Sequence, residues 1–245
     1  MANTRFSRSY GMVLAPTTRS KMYLQLLMFA GVRPSHVILL GEDQAFQGNE
    51  ERMILQSDFG SFEYDPSVGI KDFLKKFDIV HEYAPCSDVN KHEFVSYLRG
   101  APESEYIYSG YPGVILGKDL LSNSTKRFLH AHGGRAPRYS GSTAFYYSIL
   151  EEGLIGATAF WVDEGIDTGE IIAVIERKPV PNLNIDFVQD PFIRGEALLR
   201  ALVRLEEGHQ GGEQASERNQ KRIAYHVIHP VLKNCALRRV SYQES

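Results

Sequence analysis

Cysteine is scarce in this chain: Cys86 and Cys235 are the two present among 245 residues. Two thiols exclude a disulfide framework and a cysteine-rich zinc site, and they point to a reducing compartment. Long apolar runs are missing as well, none approaching the roughly 18 residues that a membrane span requires. The first residues carry Arg5 and Arg8 but no apolar segment behind them, so they lack the shape of a secretory leader. There is no long basic run and the formal net charge is -3, which argues against a surface devoted to a nucleic-acid backbone. These absences predict a cytoplasmic protein with no membrane and no nucleic-acid partner, whose ligand is a small molecule.

What is present is a core. With 43% hydrophobic and 23% charged residues the chain has enough apolar side chain for one sizeable domain. The expected division is a main domain over 1–207 and a linker with a helical extension over 208–245. Gly11 to Ala15 reads as a short strand. It is followed by a helix capped at Thr17 or Thr18, carrying Met22, Leu24, Leu26, Leu27 and Phe29, and closed by Gly31. His36 to Leu40 then reads as a second strand, which makes a β-α-β opening. The polar, weakly periodic stretch from Gln44 to Val68 reads as a loop or lid.

Alternation continues with helices at Lys71 to Phe77, Ser87 to Leu98 and Leu116 to Leu121, and strands at Ile79 to Glu82, Tyr106 to Ser109 and Lys126 to His132. A helix over Ser142 to Glu152 precedes strands at Gly156 to Val162 and Glu170 to Glu176. Phe192 to Glu207 puts Leu198, Leu199, Leu202 and Leu205 on one helical stripe, and Ala224 to Leu237 reads as a terminal helix. The fold class is α/β, a mostly parallel sheet flanked by helices with a short C-terminal extension.

Two segments carry candidate chemistry. In Arg127-Phe-Leu-His-Ala-His132 the period of a strand puts His130 and His132 on one face, and Gly133-Gly134 ends the strand where ligands bind in open α/β sheets. Asp163-Glu-Gly-Ile-Asp-Thr-Gly169 joins two strands and sets three carboxylates beside glycines. Singly, each is compatible with a structural role, a bonded histidine or a solvated turn. Their joint occurrence at strand ends is what points to a site.

The segment between them adds a resemblance. His132-Gly-Gly-Arg-Ala-Pro137-Arg-Tyr-Ser-Gly141, then a helix, a strand and Asp163-Glu-Gly-Ile-Asp167-Thr-Gly169, resembles the formyltransferase family that includes methionyl-tRNA, glycinamide-ribonucleotide and sugar-amine enzymes. That family has Asn-x-His before a Leu-Pro-x-Tyr-x-Gly loop, and an Asp-x-Gly-x-Asp-Thr-Gly loop after it. Upstream, Gly113-Val-Ile-Leu-Gly-Lys-Asp-Leu-Leu121 is similar to the family's glycine-led strand end. The resemblance implies a Rossmann-like sheet, 10-formyltetrahydrofolate as co-substrate, and attack of an amine on its formyl carbon. It implies that His130 and His132 polarise the formyl oxygen, that His132 also shuttles the amine proton, and that Asp167 orients His132 and favours its protonated form. It assigns the pterin to Gly113, Val114, Ile115, Leu116 and Asp163, and substrate contacts to Arg138 and Tyr139. It also suggests a homodimer. Two positions depart from the family: His130 stands where it has asparagine, and His132-Gly133-Gly134 where it has His-Pro-Ser. A His132→Asn variant is expected to lose transfer and keep its folding.

As for the amine, the tRNA enzymes of the family carry an additional C-terminal domain, whereas roughly seventy residues follow the second loop here. The purine-pathway enzyme has a glycine-rich phosphate loop after its first strand, and this chain has Ala15-Pro-Thr-Thr-Arg-Ser20. What remains is a nucleotide-linked amino sugar or a nonulosonic-acid precursor, with Tyr139, Tyr146, Tyr147 and Tyr225 as stacking candidates. The competing readings are a metal-dependent enzyme using His-x-His with a carboxylate, a non-catalytic folate or nucleotide-sugar binder, and a hydrolase releasing formate. No metal is expected. No Gly-x-Ser-x-Gly elbow, Walker loop or dinucleotide fingerprint is present.

Overall fold

A computed structural model describes residues 6–43, 51–165, 167–209 and 223–241. The chain divides into two compact units, Met1–His130 and Ala131–Ser245.

The first unit is built on parallel strands. β1 (Gly11–Leu14) lies between β2 (His36–Leu39) and β6 (Glu105–Ser109), β5 (His81–Tyr83) pairs with β2, and β7 (Arg127–His132) pairs with β6. β1, β2 and β6 are buried along their whole length, as parallel strands covered on both faces must be, and their near-continuous apolar sequences follow from that. Between β1 and β2 runs α1 (Thr18–Phe29). Thr17 caps it, its hydroxyl accepting the Ser20 N–H at 3.2 Å. Met22, Leu24, Leu26 and Leu27 are buried as expected, while Phe29 is half exposed and meets Phe62 at 5.4 Å between ring centroids.

The sequence reading needs correction at several elements here. The stretch taken as a loop from Gln44 to Val68 contains an antiparallel hairpin, β3 (Met53–Ser57) and β4 (Gly60–Tyr64), turning at Asp58-Phe59. Leu55, Phe62 and Tyr64 face inward while Ile54 faces solvent, so the period-2 signal is diluted. Residues 44–50 of that stretch lie outside the described residues. α2 (Ile70–Lys76) falls where expected. α3 is His92–Arg99 rather than a helix from Ser87, because Asp88 first closes a turn by accepting the Asn90 and Lys91 N–H groups. α4 is Lys118–Asn123 rather than Leu116 to Leu121: the Asn90 side chain takes the Gly117 N–H at 2.6 Å and the Ile115 carbonyl at 2.8 Å, holding that stretch out of the helix.

In the second unit β9 (Ile155–Trp161) and β10 (Glu170–Arg177) form an antiparallel pair covered by α6 (Asp190–Glu206), which a single π turn at Ile185–Gln189 introduces. Leu198, Leu199, Leu202 and Leu205 are buried, each contributing about 1.5–3 kcal/mol through removal from water. α5 (Ala144–Glu152) packs on α7 (Pro230–Ser241). The terminal helix expected from Ala224 starts only at Pro230. Proline lacks the N–H of a helix interior and sits in a first turn without cost. Ala224–Tyr225 instead forms a short strand, β11, parallel to β8 (Ser140–Gly141). The proposed linker at 210–218 lies outside the described residues. Among the described residues no helix is long and apolar enough to cross a membrane.

Candidate active site

β7 delivers His132 to the start of the second unit, and the loop between β9 and β10 delivers Asp167. His132 Nδ1 lies 3.5 Å from Asp167 Oδ2, so the structure brings this pair together. Both side chains are largely enclosed, at 8% and 13% exposure. Asp167 adopts φ +52, a left-handed conformation that aspartate tolerates better than most residues, and its Oδ2 accepts the Gly141 N–H at 2.8 Å.

The other edge of the imidazole faces the Tyr139 carbonyl, 2.8 Å from Nε2. A carbonyl only accepts, so Nε2 carries the proton and Nδ1 of the neutral ring is the basic nitrogen. Burial pushes the imidazole below its ordinary 6.5, outweighing Asp167, which raises it; Arg194 adds to the lowering. Asp167 favours the protonated form, but burial outweighs it. The neutral ring is favoured, and Asp167 stabilises the imidazolium only once a proton arrives. His132 is 6% exposed and hydrogen-bonded, so it takes part in the core as well.

The two glycines after His132 have a steric reason. A Cβ on Gly133 would lie 2.3 Å from Asp190 Oδ1 and 2.4 Å from an Arg194 guanidinium nitrogen. Those two residues form an ion pair at 2.8 Å, and the guanidinium also donates to the Ala131 carbonyl at 3.2 Å. On Gly134, with φ +156, a Cβ would lie 2.3 Å from the Tyr139 carbonyl oxygen and 2.8 Å from His132 Nε2. Gly134→Ala is therefore expected to cost about 1–3 kcal/mol through backbone strain, read from urea unfolding, and to break the bond from Nε2 to Tyr139. The Asp190–Arg194 pair escaped the sequence reading. Its only trace is the i, i+4 spacing of opposite charges inside an amphipathic helix.

The remaining candidates are placed as follows. In the first unit His130 Nδ1 donates to the Tyr108 carbonyl at 3.0 Å, and its ring lies against that of Tyr108 at 5.9 Å. Val114 and Ile115 expose apolar side chains, at 38% and 53%, whereas Leu116 is buried and Gly113 turns the chain at φ +79. In the second unit Asp163 Oδ1 accepts from the Gly165 N–H at 3.0 Å and from the Thr168 hydroxyl at 2.5 Å, folding its own loop. The Arg138 guanidinium contacts Glu151 at 3.4 Å and Glu152 at 2.5 Å, and lies 5.2 Å over the Tyr139 ring. Tyr139 is fully buried; its carbonyl serves His132 and its hydroxyl donates to Glu151 at 2.9 Å. Tyr146 donates to Asp186 at 2.9 Å. Among the described residues no three His, Cys, Asp or Glu side chains gather as metal ligands.

Residues 75–192, which contain both candidate loops, match the family model described as formyl transferase. A methionyl-tRNA formyltransferase of Halothermothrix orenii is 29% identical over 133 residues, 53% of this chain and 42% of that protein. The chain thus spans well under half the length of that curated relative. Among solved structures, a phosphoribosylglycinamide formyltransferase from Streptococcus pneumoniae TIGR4 superimposes with a TM-score of 0.55 at 18% identity, covering 82% of this chain and 100% of its own. A sugar N-formyltransferase from Shewanella sp FDAARGOS_354 does so with a TM-score of 0.54 at 14% identity, covering 95% and 87%. At such identities the likeness is one of fold, a mostly parallel sheet flanked by helices. It is over residues 75–192 that this chain is similar to the formyl transferase family.

Proposed function

We propose that the chain transfers a formyl group from 10-formyltetrahydrofolate to the primary amine of a small substrate, a nucleotide-linked amino sugar or a nonulosonic-acid precursor. The observation that carries this reading is the buried His132–Asp167 pair, with a basic Nδ1 facing a carboxylate at 3.5 Å. That gap exceeds a direct hydrogen bond of roughly 2.7–3.2 Å, so an amine N–H placed beside the pair meets both acceptors. His132 Nδ1 takes the proton that the amine loses as it attacks, and Asp167 holds the resulting imidazolium. The proton is then passed to the departing folate nitrogen, a service worth about 10²–10⁴ in rate. The folate supplies an activated formyl carbon. The exposed side chains of Val114 and Ile115 suit the apolar face of its ring.

His130 takes the place of the family's asparagine as the donor to the formyl oxygen. With Nδ1–H committed to the Tyr108 carbonyl, its Nε2 donates only as imidazolium, whereas an asparagine amide donates at every pH. His130→Asn is accordingly expected to retain transfer. Complete loss with His132 and Asp167 in place would give His130 a role of its own.

The similarity of the sugar N-formyltransferase over 95% of this chain favours the amino-sugar class. The test is purified protein with 10-formyltetrahydrofolate against a panel of nucleotide-linked amino sugars, following tetrahydrofolate release and the mass of the product. A mass gain of one formyl group on one sugar supports the proposal. Release of free formate without an amine means a hydrolase, and binding without turnover of any amine means a binder.

A further inference from the structure

The two peptide groups that aim the active pair, the Tyr139 carbonyl toward His132 and the Gly141 N–H toward Asp167, belong to one short loop. That loop is gripped from outside by a segment far later in the chain. Strand β11 lies parallel to β8 in the register Ala224↔Ser140 and Tyr225↔Gly141. Ser140 N–H donates to the Ile223 carbonyl at 3.1 Å, Ser142 N–H to the Tyr225 carbonyl at 2.8 Å, and Ile228 N–H to the Thr143 hydroxyl at 2.8 Å. The approach is so close that a Cβ on Gly141, at φ +91, would lie 2.3 Å from the Tyr225 carbonyl oxygen.

Side chains repeat the grip. The Tyr225 ring stacks between Tyr147, at 4.2 Å and 25°, and Tyr139, at 5.8 Å and 15°. The hydroxyls of Tyr225 and Tyr139 both donate to Glu151, at 3.0 and 2.9 Å. Burial and the bond to Glu151 push the Tyr225 phenol up to about 12, so it stays a donor throughout any assay range. Each aromatic stack of this kind is worth about 0.5–1.5 kcal/mol beyond its buried area.

We infer that Tyr225 is a positioning residue for the reaction: by clamping 139–143 it sets the distance and angle between His132 and Asp167. The inference rests on the proposed function only for its kinetic readout. A second readout, the titration of the His132 imidazole by NMR in histidine-labelled full-length protein, is independent of activity. The resonance is assigned by its loss in His132→Asn. The charged groups facing His132 are Asp167, Asp190 and Arg194, and none is altered in the variants.

Tyr225→Ala is expected to lower kcat about 10- to 100-fold, as misplacement of reacting groups by an ångström does, with KM for both substrates near wild type. Its His132 titration should rise toward 6.5 as the loosened loop admits water. Tyr225→Phe keeps ring and backbone and should restore both readouts. A cooperatively melting Tyr225→Ala with wild-type kcat and an unchanged titration overturns the inference. If that variant does not melt cooperatively, Thr143→Val, which removes the hydroxyl that accepts the Ile228 N–H and donates to the Ser142 carbonyl, is put to the same two measurements. Its matching wild type in both is then the overturning result. A moved titration in a protein that transfers no formyl group sinks the proposed function and leaves the positioning; formyl transfer with neither readout moved does the reverse.

Discussion

Replacing His132 with asparagine is expected to lower kcat about 10²–10⁴-fold, because the substitution removes the one basic nitrogen set beside Asp167. The asparagine side chain is shorter and its carboxamide accepts no proton near neutrality. It also leaves the Tyr139 carbonyl short of its 2.8 Å donor inside a closed environment, which costs about 1–3 kcal/mol of stability. The variant should therefore be both slow and less stable, and the two effects separate experimentally. Single-turnover formyl transfer measures the first, and urea unfolding of the same preparation measures the second. A cooperatively folded variant whose transfer rate stays within tenfold of wild type would mean that the amine proton leaves by another route.

That dual outcome shows where sequence reasoning stops. The β1–α1–β2 opening was legible because strands buried on both faces must be apolar throughout, and because Thr17 and Gly31 mark the helix between them. The α6 stripe was legible for the same reason, since one face of four leucines has nowhere else to go. His132 and Asp167 could be named because one ends a strand and the other lies in the loop joining two strands, both within an ordered motif. The hairpin at β3 and β4 was hidden because only Leu55, Phe62 and Tyr64 point inward while Ile54 points out. β11 is two residues long and draws its identity from the Ser140–Gly141 partner, which no local pattern reveals. The tautomer and the depressed basicity of His132 depend on a carbonyl seven residues away, on burial and on the charge of Arg194 far along the chain. Gly133 and Gly134 read as a simple strand terminus, whereas they make room for the Asp190–Arg194 pair and for the Tyr139 carbonyl.

The electrostatic half of the site is tested by Asp167→Asn. Asparagine keeps an oxygen for the Gly141 N–H and tolerates the left-handed conformation at φ +52, so the loop should hold and only the charge is lost. Transfer is expected to fall about 10²–10⁴-fold, since the imidazolium formed at His132 has lost its counter-charge while burial and Arg194 still oppose it. The same loss has a signature in stability. His132 is held below its unfolded value of about 6.5, so between the two values the unfolded chain binds the extra proton. The stability tied to its neutral form is thus complete above pH 6.5 and is lost as pH falls toward the folded value. Without the Asp167 carboxylate the folded value drops further, the window widens on its acid side, and the variant should lose more stability than wild type on acidification. Urea unfolding of both proteins at a series of pH values below 6.5 measures this. Parallel stability curves together with an unimpaired transfer rate would show that the carboxylate and the imidazole, though 3.5 Å apart, do not act on one proton.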